Sequence, residues 1–428
     1  GDAVNLTDGL IYDPSLAPYE VSADGKRSGT YDDRIIMTRK PSAAGVMNSI
    51  DALAASYPAL KEYYPEEAER SIKNAEMLWD KYVINADIHS RRLTKKQLLK
   101  AGDITQTGSS NTVDADTTEM GNVKQDAIAQ EKKPWGITNT FKLAGDKVEA
   151  KIIGEGTEES PKEVVQEKIQ IAKVGTIEQN VKQIADADGR FDKANDSKVD
   201  NSIELTAATA GDITQGGTGM IDNVITSTGA AFQLKKLNEA GDALENDGDA
   251  EFLNTLGNIE QDGVTNTITA GTSESIGTIQ QTAASVDTIV TNQMDGSVTK
   301  GKVENVGNTA TLQNVHEVGE ITQTATSDAY YKTKFDKDGN DITPADWVDG
   351  DKVEAANTLN LTDVNVDPAK VQKVTQTING TAGLGDNTIT ADRSNIGDVD
   401  QNAIDGNNAF YLANATEDVK TVGKITQD

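Results

Sequence analysis

The residues best suited to chemistry in this chain are clustered oxygen ligands. Asp336-Lys-Asp338-Gly-Asn340-Asp341 places side-chain oxygens at alternate positions around a turn glycine, the donor set a hard cation such as calcium takes. Asp186, Asp188 and Asp192 flank Gly189 in a similar way, and Asp247, Asp249 and Glu251 form a looser third cluster. None has the full spacing of a helix-loop-helix calcium hand, and the other reading of each is an acidic, solvated turn. Calcium at the first two clusters is the one cofactor these residues suggest. Catalysis is poorly provided for. The chain has no cysteine and only two histidines, His89 and His316, so thiol chemistry is excluded and a histidine-based hydrolase is a poor fit. Carboxylate pairs can always be found among 69 acids, but no Arg/Lys/Asp constellation stands beside one, and the expectation is that the protein is not an enzyme. A polysaccharide-acting solenoid enzyme is the least favoured function. Trp135 and Trp347 read as packing anchors rather than sugar platforms.

Charge narrows the partners. The net charge is −29 over 428 residues, which repels phosphate and argues against nucleic acid. No apolar run is long enough to span a bilayer. The charge is uneven: residues 1–100 carry a net −1 and residues 101–428 a net −28. The one strong basic run, Arg91, Arg92, Lys95, Lys96 and Lys100, reads either as a solvated helix face or as a docking patch for the acidic part of another copy. The chain begins at Gly1, without Met or an apolar leader, so either a signal peptide has been cleaved or a tag trimmed; the acidic, cysteine-free, Thr/Asn-rich composition leads us to expect the former and a secreted, extracellular or cell-surface location. Asn5, Asn195, Asn360, Asn379 and Asn414 open Asn-x-Ser/Thr sequons, which matter only in a glycosylating host.

Periodicity divides the chain in the same place as charge. Residues 1–40 carry no helical stripe and read as an extended segment. Residues 41–100 read as a helical domain: a helix after Ser42 through Val46, Met47, Ile50, Leu53 and Ala54, punctuation at Pro58 and Pro65, a second helix from Glu66 to Val83, and a third opened by Thr94 and Gln97.

After residue 100 one phrase recurs: Gly, any residue, Ile or Val, any residue, Gln. It places Gln106, Gln125, Gln179, Gln215, Gln261, Gln281, Gln323, Gln401 and Gln427, and a version without the glycine places Gln376. Between these lie Asn-Thr-Val/Ile phrases at Asn111, Asn266 and Asn387. The alternation has period two, so the phrases are short strands, and recurrence at tens of residues signals a stacked array. The fold expected for 101–428 is therefore a β-solenoid with insertions, behind a small helical N-terminal domain. A unit of about 20–26 residues would give roughly 13–15 coils and a rod on the order of 65 Å at the spacing of adjacent strands. Each glutamine stands two residues from an Ile or Val and shares its inward face. A buried amide must be satisfied, and glutamines stacked in register can bond rung to rung. The alternative, glutamine as a polar residue facing water, does not explain its constancy while the residue before it varies.

Ile104-Thr-Gln106-Thr-Gly108-Ser-Ser-Asn111-Thr-Val113 resembles the curlin repeat, Ile-x-Gln-x-Gly-x-x-Asn-x-Ala/Val, and so does Ile259-Glu-Gln261-Asp-Gly263-Val-Thr-Asn266-Thr-Ile268. Copies around Gln323, Gln401 and Gln427 keep only part of it. The resemblance spans at most 102–428, and the irregular spacing and helical segment depart from it. It implies a secreted β-solenoid subunit that stacks into extracellular biofilm-matrix fibres, with Asn111 and Asn266 joining Gln106 and Gln261 as ladder positions. The expected function is thus a structural protein that polymerises head to tail with itself, cell-surface polysaccharide being a further partner. The alternative is a calcium-stabilised surface-layer or adhesin protein.

Overall fold

The computed structural model describes residues 43–61, 63–79, 100–116, 119–130, 136–145, 150–157, 162–165, 171–193, 199–347, 350–364, 373–380, 384–404, 406–413 and 422–428. The chain is mainly β, and it falls into two compact units divided between Val83 and Ile84. The expected extended segment 1–40, the third helix and the basic residues Arg91, Arg92, Lys95 and Lys96 lie outside the described residues.

The first unit holds two helices, α1 (Ala43–Leu60) and α2 (Pro65–Trp79). Pro65 opens α2, where its missing N–H costs nothing, and Glu66 and Glu67 favour the positive end of the helix dipole. Ala68 and Ala75 are buried on one stripe of α2. Pro58 was expected to end the first helix and does not: α1 runs past it to Leu60. A proline in the closing turn removes one bond, and the helix needs no further turn beyond it. Among the described residues no helix is long and apolar enough to cross a membrane.

The second unit is a β-solenoid built on two parallel sheets. The glutamine phrases form one of them, ten strands stacked in chain order from Ile104–Gly108 to Ile425–Gln427. Register is strict: Gln179 pairs with Gln125 on one side and Gln215 on the other, and Ile177 with Val123 and Ile213. The asparagine phrases form the facing wall, nine strands from Ser110–Asp116 to Asn407–Ala413. Between the walls lies a narrow core of stacked Ile, Val, Leu, Phe and Ala, with Ile177, Ile213, Phe141, Ile203 and Ile268 essentially without solvent exposure. Period two in sequence becomes two faces in space: one side chain inward, the next out.

The coil count departs from expectation. Ten glutamine rungs form, not 13–15, spanning roughly 43 Å over nine spacings of about 4.8 Å. Successive glutamines stand 36, 46 and 54 residues apart in places, and each of these stretches holds one coil. The excess residues leave the solenoid at its corners. Insertions after the glutamine strands pair with one another, placing Phe191–Asp192, Asp287–Thr291, Val298–Lys302 and Thr333–Phe335 in a separate four-stranded sheet. Insertions after the asparagine strands close on themselves as two-stranded hairpins, such as Lys235–Leu237 with Leu244–Asn246. A parallel coil tolerates such insertions because only its strand segments must meet the neighbours above and below.

Two further columns hold the rungs in register. Where successive phrases open with glycine, each glycine sits on the glycine below: a Cβ at Gly277 would lie 2.8 Å from the carbonyl carbon of Gly257. The residue after it often caps the next coil, as when Asn258 N–H donates to Asp212 Oδ1 at 2.8 Å and Thr278 N–H to Asn258 Oδ1 at 3.0 Å. Gly277→Ala should therefore lower stability by about 1–3 kcal/mol, the usual cost of overpacking. Gly102→Ala, whose Cβ would meet nothing within 4 Å, should stay within about 0.5 kcal/mol. Denaturant midpoints compare the two, and equal effects would show that the column is not close-packed.

Candidate functional site

The feature that recurs from coil to coil is a pair of amides, one glutamine and one asparagine, both buried in the first eight coils. Gln125 to Gln401 and Asn111 to Asn387 are almost fully buried, and each glutamine donates from Nε2 to Oε1 of the glutamine in the preceding rung. Nine such bonds, all 2.7–2.8 Å, run unbroken from Gln106 through Gln125, Gln179, Gln215, Gln261, Gln281, Gln323, Gln376 and Gln401 to Gln427. The facing wall carries a second ladder of eight bonds at 2.8–2.9 Å, through Asn111, Asn139, Asn201, Asn223, Asn266, Asn308, Asn357, Asn387 and Asn408. Its direction is opposite: each asparagine donates to the following rung.

The second proton of each amide fixes that direction. Glutamine Nε2 also donates to a carbonyl across the core in its own rung, as Gln125 does to Thr140 O at 3.1 Å and Gln215 to Val224 O at 3.2 Å. Asparagine Nδ2 donates to a carbonyl of the glutamine strand one rung further on, as Asn139 does to Asn180 O at 2.8 Å and Asn308 to Thr324 O at 2.8 Å. Turning one amide over would set its oxygen against that carbonyl. The ladders thus tie rung to rung and wall to wall, and their side-chain dipoles oppose one another.

The sequence placed all ten glutamines but only Asn111 and Asn266 of the asparagine ladder. The other seven share the signal Asn-x-apolar, as in Asn139-Thr-Phe141, Asn357-Thr-Leu359 and Asn408-Ala-Phe410. Their distance from the preceding glutamine is obscured by the corner insertions: Asn111 and Asn266 follow it by five residues, whereas Asn357 lies far beyond Gln323.

The two ends of the solenoid differ. In the first rung Ile104 and Val113 are 1% and 0% exposed. At the other end Ile425, which continues the Ile/Val column, is 41% exposed, and Leu412, whose equivalents Leu312 and Leu361 are buried, is 60% exposed. Among the described residues, the strands Ile425–Gln427 and Asn407–Ala413 each pair on one side only. Gln427 donates to Gln401, and among the described residues no donor reaches its Oε1. Asn408 accepts from Asn387 and donates to Asp428 O at 2.9 Å.

The calcium candidates use their oxygens locally. Asp336 Oδ1 accepts the N–H groups of Asp338 and Asn340, its Oδ2 accepts the Asn340 side chain, and Asp341 Oδ1 accepts from Thr343. The Asn340 amide beside it holds the Asp336 carboxyl below the usual carboxylate range. Asp186 takes the N–H groups of Asp188 and Arg190, and the Arg190 guanidinium pairs with both Asp186 and Asp188. Asp192 lies in the short strand beside them. Among the described residues no group of three or more acidic or histidine side chains converges as a metal site. Lys236 reaches toward Asp247 at 3.7 Å, and Lys332 stands over the Trp347 ring at 5.6 Å, a packing contact. Lys100 opens a two-residue strand paired with Glu119–Met120; Trp135 lies outside the described residues.

Compared with protein-family models, curated proteins and solved structures, the chain finds no match.

Substituting a mid-ladder amide tests its burial. Gln281→Leu leaves Gln323 without an acceptor and Gln261 without a donor, and should cost about 1–3 kcal/mol per stranded group. In Gln281→Glu the carboxyl can still accept from Gln323, but burial raises its folded pKa above that of the unfolded chain. Its stability should be lowest near pH 7 and recover as pH falls toward about 4.3, the unperturbed glutamate value. Chemical denaturation of the variant and parent between pH 7 and 4 measures this; parallel curves would mean that position 281 is wet.

Proposed function

We propose that the protein is a structural subunit that polymerises head to tail through the ends of its solenoid, forming an extracellular filament of the matrix type. The observation that carries this reading is the exposed apolar face at the last described rungs. Ile425 and Leu412 stand exposed at the end of columns that are buried elsewhere, beside two strand edges with unused backbone groups. A bare parallel edge with an apolar end face is a template for another chain. The polarity of the glutamine ladder supports a directional joint. Gln427 offers an acceptor, so two C-terminal ends apposed would set acceptor against acceptor, while the opposite end of another copy brings a rung of the other polarity. A heterologous contact of this kind that does not close into a ring gives a filament. The resemblance of the Gln106 and Gln261 repeats to curlin repeats, and the acidic, cysteine-free, Thr/Asn-rich composition, fit a secreted subunit. The segment 1–40 and the basic residues Arg91 to Lys100 are the parts of a second copy proposed to cover the acidic solenoid end.

Electron microscopy of the purified chain should show filaments with an axial repeat of about 48 Å, ten rungs at the interstrand spacing, or longer where the joint adds coils. Ile425→Asp and Leu412→Asp change exposed positions, so they should leave the monomer's melting within about 0.5 kcal/mol of the parent yet abolish polymerisation. Deleting residues 1–40 should give monomers or short oligomers. Planar lattices or a strictly monomeric parent would contradict the reading.

A further inference from the structure

The outer surfaces of the two walls differ in charge. On the glutamine wall, outward positions pair Lys124 with Glu178 and Lys373 with Asp400, and add Glu260 and Asp262. On the asparagine wall, the two outward rows flanking the apolar column carry no charge over five successive rungs. They read Val224 and Thr226, Thr267 and Thr269, Thr309 and Thr311, Thr358 and Asn360, Thr388 and Thr390. The register sets them in straight rows, with Thr267 on Thr309 on Thr358 on Thr388, and Thr269 on Thr311. None of the ten is buried, so the face is open to solvent. Charges begin at its margin: Glu204, ion-paired with Lys142, in the rung directly before Thr226; Asp222 and Asp386 two residues before Val224 and Thr388 on the first and last strands; and Asp392 beyond Thr390.

We infer that this threonine face is a lateral interface between copies of this chain, by which filaments pair side by side; the inference rests on the head-to-tail reading above. Charge selects the occupant. Copies carrying −29 each repel wherever acidic surfaces meet, and the two central rows of this face bring no acid to the contact, Asp222 and Asp386 standing one row outside them. Geometry makes it self-complementary. Rows of methyl and hydroxyl groups at the same interstrand repeat interdigitate when two such sheets are apposed about a two-fold axis through the central rung, Thr309 and Thr311. Size then sets the condition. Five rungs by the width of the strand give roughly 20 Å by 14 Å, well short of the ~800 Å² per partner of a stable complex. A single pair of monomers would therefore not hold. Along a filament the face recurs in every subunit, and the contacts reinforce one another once the first has formed.

The absence of cysteine gives a direct test. Thr311→Cys places one thiol near the expected axis and Thr322→Cys places one on the outer surface of the glutamine wall. Under oxidising assembly conditions, disulfide-linked dimers should exceed those of Thr322→Cys by at least tenfold, and should be absent from unassembled monomer. Thr269→Lys combined with Thr311→Lys should leave filament length unchanged and reduce paired or bundled filaments at least fivefold in electron micrographs. Equal cross-linking from both cysteines, or bundling unaffected by the lysines, overturns the inference while leaving the head-to-tail reading intact. So does loss of retention on an insoluble polysaccharide in the lysine variant with bundling unchanged, which would make a glycan the occupant. A parent that forms no filaments at all overturns both.

Discussion

Everything in the solenoid depends on finding two partners for the protons of each buried amide. An isolated amide between two hydrophobic walls costs several kcal/mol, so a core lined with seventeen of them is tolerable only if every rung repeats in register. The glutamine ladder alone would fix the stacking of one wall. The asparagine ladder runs the other way, and the cross-core bonds, such as Gln125 to Thr140 and Asn139 to Asn180, make the two walls a single lattice. A slip of one residue turns the amides out and the threonines in, and breaks every rung at once. An apolar core of the same width would have been easier to build and far less particular about its register.

That constraint explains which parts of the fold were legible in the sequence. The glutamine rungs were visible because glycine, Ile/Val and glutamine stand at a fixed spacing imposed by one strand: the glycine by contact with the glycine below, the apolar residue by the core, the amide by its ladder. The facing strand obeys the same physics, but corner insertions of differing length separate it from its glutamine. Asn111 and Asn266 were therefore recognisable, and Asn139, Asn201 and Asn357 were not. The same insertions misled the coil count, since nothing in a stretch of 54 residues says whether it closes one turn or two. Asp186 and Asp336 show a different limit: an acidic cluster in sequence does not reveal that the turn's own N–H groups will occupy its oxygens.

A lattice built this way has no natural end. Each rung is satisfied by the one before and the one after; at the last described rung Ile425 is exposed, and among the described residues no donor reaches the ladder oxygen of Gln427. The chain meets this differently at its two ends, with Ile104 buried and Ile425 exposed. On the head-to-tail proposal this asymmetry links core chemistry to assembly: the polarity that makes the interior specific is the one the proposed joint uses. The uncharged outer threonines belong to the same logic, because rows in register inside are also rows in register outside.

Side-chain amide hydrogen exchange followed by NMR tests the central claim most directly. Both Nε2 protons of interior glutamines such as Gln261 and Gln323 should exchange as slowly as the backbone amides of their strands, while Gln427 exchanges fast in the monomer and becomes protected on assembly. Interior glutamine protons that exchange at the rate of solvent-exposed amides would contradict the account, since the ladder would then not exist as a buried, continuous structure.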